Sequence, residues 1–130
     1  MFKKDRPAKT LDLSQQEITT IIGEGFHIVG ELNGNEVIRI EGKITGNVKV
    51  TKGVILGEHS LIEGDIETNS AIIYGTVNGN IKALQLEIKK TGHINGNIST
   101  ETLEVELGAT YNGKLEMKQP KKETEKLSSI

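Results

Sequence analysis

The chain has 130 residues with no Cys, no Trp, two Phe, two Tyr and 15 Gly, which excludes disulfide scaffolds, thiolate chemistry and a core anchored by aromatics. Its formal charge of −2 sums unlike parts: residues 1–10 carry four basic groups against one acidic (+3), 11–20 two acidic (−2), 21–117 eight basic against thirteen acidic (−5), and 118–130 four basic against two acidic (+2). An acidic body repels phosphate, so nucleic acid is not an expected partner.

From the N-terminus, residues 1–18 read as a disordered arm. Its start, Met1-Phe2-Lys3-Lys4, can place two apolar side chains at a lipid boundary while lysines meet anionic headgroups. The alternative is a solvated arm with no membrane role. No apolar run approaches the ~20 residues of a membrane span, and no signal-peptide apolar region follows the basic start. Together with the missing cysteine, this reads as a cytoplasmic protein.

Residues 19–117 are repetitive. Six segments share the pattern apolar–x–Gly–polar–apolar: Ile28–Leu32, Ile44–Val48, Ile62–Ile66, Val77–Ile81, Ile94–Ile98 and Tyr111–Leu115. Their central glycines, Gly30, Gly46, Gly64, Gly79, Gly96 and Gly113, are 16, 18, 15, 17 and 17 residues apart. A second column of small residues lies four places earlier, with Gly42, Ser60, Gly75, Gly92 and Ala109; Phe26 is the exception. Between the glycine units lie Val37–Ile40, Val54–Leu56, Ala71–Tyr74, Leu84–Ile88 and Leu103–Leu107, whose alternation and β-branched content predict strands.

A repeat this short has no room for a helical crossover. It predicts an all-β, single-domain parallel β-helix of about six coils, each strand pairing with its equivalent one coil on. The glycines then turn the corners, where φ > 0 is required. Hairpins in an antiparallel sandwich also use Asn-Gly, but they would not enforce a constant register. Right-handed winding is the default for parallel crossovers. The tail, 118–130, is polar and mixed in charge and is expected to be disordered.

A solenoid has two open ends. Here the first carries Ile18, Ile21, Ile22 and Phe26 and the last Tyr111, Leu115 and Met117, so bulky bore residues gather at the ends. They serve either as polymerisation faces or as plugs that cap the bore. His27, His59 and His93 share no single column, so no metal site is expected. No P-loop, dinucleotide fingerprint or Ser–His–Asp cluster occurs, and neither a cofactor nor a nucleotide is expected.

Several stretches resemble the bactofilin domain: Thr19–Gly25, Ile38–Val48, Tyr74–Ile81, Lys89–Gly92 and Gly108–Gly113. The resemblance covers residues 19–117, with Tyr111 where the family usually has Phe. It implies a right-handed, roughly triangular β-helix that polymerises without nucleotide into non-polar filaments. It also implies a scaffold at the inner membrane, with cell-wall enzymes or membrane proteins among its partners and a role in cell shape. The rival from another class is a solenoid enzyme of the hexapeptide acyltransferase type, a trimer with a catalytic His in an intersubunit cleft.

Overall fold

The computed structural model describes residues 17–118. The expectations for Met1, Phe2, Lys3 and Lys4, and for tail residues beyond Lys118, lie outside the described residues.

All fourteen elements are strands. In chain order they are β1 (Ile18–Ile22), β2 (His27–Val29), β3 (Leu32–Gly34), β4 (Val37–Ile40), β5 (Lys43–Thr45), β6 (Val48–Leu56) and β7 (Leu61–Glu63). The remainder are β8 (Ile66–Ile73), β9 (Thr76–Asn78), β10 (Ile81–Ile88), β11 (His93–Asn95), β12 (Ile98–Val105), β13 (Thr110–Asn112) and β14 (Leu115–Met117). Every pairing is parallel and joins equivalent strands of successive coils. The short strands form one sheet, in the order β13-β11-β9-β7-β5-β2, and the longer ones another, in the order β1-β4-β6-β8-β10-β12-β14 with β3 beside β6. The result is a parallel β-solenoid of about six turns.

The register reproduces the repeat. One column runs Ile28, Ile44, Ile62, Val77, Ile94, Tyr111. A second runs Leu32, Val48, Ile66, Ile81, Ile98, Leu115, and a third Ile22, Ile40, Leu56, Ile73, Ile88, Val105. Side chains alternate between the two faces of a strand, so these columns point into the bore while their neighbours face water. Ile40, Ile44, Val48, Leu56, Ile62 and Ile73 have no measurable exposure. Aliphatic side chains stacked at this spacing fill the bore without aromatics.

The six corner glycines have φ between 131° and 157°. Gly96 shows why no other residue serves. At φ 150°, its missing Cβ would fall on the carbonyl oxygen of Gly79, one coil below. Chirality and close approach therefore both demand glycine. The second column works differently: Gly42 lies outside the left-handed region, and a Cβ there would strike the Phe26 carbonyl oxygen.

The residue after four of the six corner glycines stitches its coil to the next. Asn47 Oδ1 accepts the Asp65 N–H (3.0 Å), Asp65 Oδ1 that of Asn80 (2.9 Å), Asn80 Oδ1 that of Asn97 (2.9 Å), and Asn97 Oδ1 that of Lys114 (3.2 Å). A second ladder joins the side-chain amides of Asn78, Asn95 and Asn112. The side-chain oxygens of the first ladder thus satisfy corner N–H groups, and the second ladder links one carboxamide to the next.

The first coil departs from the repeat. A bulge between Ile18 and Thr20 offsets β1 against β4. Ile18 thereby pairs with Val37 and Ile21 with Arg39, both on the outer face, and only Ile22 reaches a bore column. Ile18 and Ile72 pack with the buried Val37 and Ile55 in a small apolar cluster apart from the main core.

Candidate assembly faces

The two ends of the solenoid carry what an assembly face needs: strand edges unpaired among the described residues, and truncated apolar columns. At the C-terminal end, β13 and β14 are the last members of their sheets. The bore columns stop there at Val105 (52% exposed), Tyr111 (half-buried), Leu115 (43%) and Met117 (49%), and Leu107 projects beside them at 92% exposure. In the interior the equivalents of these column residues are buried: Ile94 and Ile88 above Tyr111 and Val105, Ile98 and Thr100 above Leu115 and Met117. Val105, Tyr111, Leu115 and Met117 are thus core-column residues with no further coil over them among the described residues, whereas Leu107 takes the outward position of the exposed Lys90. An unpaired edge of this kind is a template for another chain.

Tyr111 is built into this face. It packs against the main core, and its hydroxyl donates to the carbonyl oxygen of Lys114, which also accepts the Ile98 N–H at 2.8 Å. Burial raises the phenol above its usual 10.0, opposed in part by a backbone hydrogen bond from Ile98. The ring is therefore neutral at physiological pH and presents carbon to the end of the bore.

The N-terminal end is formed by β1, β2 and β3. Its bore columns end at Ile22, Ile28 and Leu32, each partly buried against the core. Ile21 is 64% exposed on the outer face, and Phe26 is 68% exposed at the corner. The expectation that bulky bore residues collect at this end is corrected for Ile18 and Ile21, which lie on the outer face; Phe26 heads the corner column of Gly42, Ser60, Gly75, Gly92 and Ala109 and is exposed at the open end. The bulge in β1 is the physical reason for the two isoleucines. At the other end, Tyr111, Leu115 and Met117 do terminate the wall columns.

Sequence reasoning missed Val105, Leu107 and the exposed Val29. The signal for Val105 was present, since Leu103–Leu107 is the last copy of a strand whose earlier copies bury Ile73 and Ile88 at that position. The expected corner glycines, Gly30, Gly46, Gly64, Gly79, Gly96 and Gly113, all occupy corners with positive φ. His27, His59 and His93 are exposed and separate; His27 meets Thr45, His59 meets Glu24 (3.1 Å) and His93 meets Thr110. No cluster of metal-ligating side chains occurs among the described residues.

Comparison with known proteins converges on one family. The profile described as "Bactofilin: Polymer-forming cytoskeletal" matches residues 20–116. The chain is similar to bactofilin BacO of Myxococcus xanthus, with 36% identity over 64 residues, 49% of this chain and 51% of that protein. It is also similar to bactofilin BacP of the same organism, with 28% identity over 86 residues, 65% of this chain and 36% of that protein. The chain thus spans between about a third and a half of these relatives' lengths. Among solved structures, the bactofilin of Thermus thermophilus in double helical filaments superposes with a TM-score of 0.70 at 25% identity, covering 75% of this chain and 99% of that one. The fold of the cytoskeletal bactofilin BacA matches with a TM-score of 0.67 at 24% identity, covering 77% of this chain and 96% of that one. With its parallel solenoid, its six-fold glycine register and a profile match across almost the whole described body, the chain belongs to the bactofilin family of polymer-forming cytoskeletal proteins.

Proposed function

We propose that this chain is a scaffold, not an enzyme, and that it stacks end to end without nucleotide into non-polar filaments at the cytoplasmic face of the inner membrane. The observation that carries this reading is the C-terminal end of the solenoid, where Val105, Leu115 and Met117 are left exposed beside an unpaired strand edge. A second copy placed there would supply both the missing apolar neighbours and the missing strand partners. The gain is interior-like burial, at ~25 cal/mol per Å² of apolar surface. Stacking draws on packing and backbone pairing alone, so it consumes no nucleotide. The filaments of the Thermus relative support the same reading by analogy.

Membrane attachment rests on the N-terminal residues Met1, Phe2, Lys3 and Lys4. One such segment binds weakly, and a filament that presents many copies binds by avidity. A filament anchored in this way would recruit cell-wall enzymes or membrane proteins and organise cell shape.

The test is Tyr111→Arg. It buries a charge at the end of the bore only if a second subunit covers that end. Light scattering should report a folded, soluble, short species. Filaments of wild-type length from this variant would remove the C-terminal face from the assembly.

A further inference from the structure

The corners that build the solenoid also carry a labile bond. Four Asn-Gly pairs occur in the chain: Asn33-Gly34, Asn78-Gly79, Asn95-Gly96 and Asn112-Gly113. In such a pair the glycine nitrogen can reach the side-chain carbonyl carbon of the preceding asparagine, because glycine puts no Cβ in the way. The reaction needs that nitrogen free of its hydrogen bond and the carboxamide free to swing toward it.

The fold withholds both from the interior pairs. Five corner glycines donate their N–H to a carbonyl of the coil above: Gly30 to Thr45, Gly46 to Glu63, Gly64 to Asn78, Gly79 to Asn95 and Gly96 to Asn112, at 2.9–3.1 Å. Gly113 is the sixth corner, and among the described residues its N–H has no acceptor, since no described coil follows it. The carboxamides grade the same way. Asn95 is held on both sides, donating to Asn78 Oδ1 at 2.9 Å and accepting from Asn112 Nδ2 at 3.2 Å; the Asn112 side chain has only the second of these bonds among the described residues. Gly79 and Gly96 are half-buried, whereas Asn112 and Gly113 are both exposed. Asn33-Gly34 sits inside β3, where Gly34 is in register with Val50 and strand pairing restrains it.

We propose that Asn112 is a modification site of this protein, the position at which it deamidates spontaneously. The Gly113 nitrogen loses its proton to solvent and bonds to Cγ of Asn112; the Cγ–Nδ2 bond breaks, ammonia leaves, and a succinimide ring closes. Water then opens the ring at either carbonyl, leaving an aspartyl or isoaspartyl residue. An amide and a water thus become a carboxylic acid and ammonia, with no change of oxidation state. The product puts a new carboxylate on the C-terminal face. It has no donor for Asn95 Oδ1, so the last rung of the amide ladder is lost. This consequence rests on the end-to-end reading above: the new charge must be desolvated for that face to be covered, so ageing of a free end opposes its growth.

The test incubates the full chain at mildly alkaline pH and maps deamidation by mass spectrometry in its unassembled fraction, the supernatant after ultracentrifugation. Asn112 should gain the mass of deamidation at least about tenfold faster than Asn33, Asn78 or Asn95. In urea, where no coil protects any glycine, the four rates should fall within about threefold of one another. Asn112→Ser should remove the fast step and leave the slow ones. Even rates across the four pairs of the folded chain would overturn the proposal. So would a lead at Asn112 that survives in urea, since the fold would then not be its cause. The pelleted fraction reports separately on assembly: a pellet modified as fast as the supernatant would count against a covered C-terminal face and leave the site standing.

Discussion

At the residue scale, the fold depends on positions where a single atom is too many. Gly96 holds φ at 150° with the Gly79 carbonyl oxygen in the place of a Cβ. Gly96→Ala combines left-handed strain with an overpacked backbone contact and should cost roughly 3 kcal/mol or more, read as a lower urea midpoint at unchanged m-value. The neighbouring ladder is gentler. Asn80→Ala removes the acceptor for the Asn97 N–H and should cost up to about 1 kcal/mol, because water can replace it at this exposed corner. Asn80→Asp should be close to neutral, since Asp65 already fills the same role one coil below.

At the element scale, each coil is stable only between neighbours. Ile62 has no exposure and lies between Ile44 and Val77 in its column. Ile62→Ala should therefore cost about 2–5 kcal/mol. Ile28→Ala, in the same column but at the open end, should cost clearly less; equal losses would show that the first coil is covered. Lys89, just after β10, meets Glu87 at 3.1 Å and Glu106 at 3.6 Å. The hydrogen bond to Glu87 raises its pKa above 10.5 against the opposing effect of burial, with Coulombic attraction to Glu87 and Glu106 adding to the rise. The folded value lies above the unfolded one, so the stabilisation is complete below 10.5 and disappears as pH climbs through the folded value. Lys89→Met should therefore abolish part of the alkaline loss of stability in a pH-dependent unfolding series and leave the acid limb unchanged.

Much of this was legible in the sequence because a parallel coil pairs each residue with its counterpart one repeat later. Aligning the six glycine segments is the same operation as writing the register, and Ile44, Ile62, Val77 and Ile94 fall in one column both ways. The reasoning fails where the periodicity does. A single bulge at Thr19 moves Ile18 and Ile21 to the outer face, and nothing in the alternation of Ile18–Ile22 marks it. The outer cluster of Val37 and Ile55 was equally hidden, because outward apolar residues in a strand do not reveal what lies beside them. Val105 was missed for a simpler reason: a last copy looks like every other copy until the described strands are seen to stop there.

At the scale of the whole molecule, the solenoid is a rod with a sealed middle and unsealed ends. Six coils at ~4.8 Å give a body near 30 Å long, and exposed apolar side chains gather at both ends, Ile21, Phe26 and Val29 at one and Val105, Leu107, Leu115 and Met117 at the other. Removing residues 1–8 should leave this body intact while abolishing co-sedimentation with anionic liposomes; undiminished pelleting would place membrane contact elsewhere. The central claim, that the ends join, is tested most directly by negative-stain electron microscopy of the purified full chain without nucleotide. End-to-end stacking into a non-polar filament predicts unbranched filaments with subunits spaced about 30 Å apart and an axial repeat of two subunits, about 60 Å. A field of discrete particles of uniform size, unchanged at high protein concentration, would contradict it.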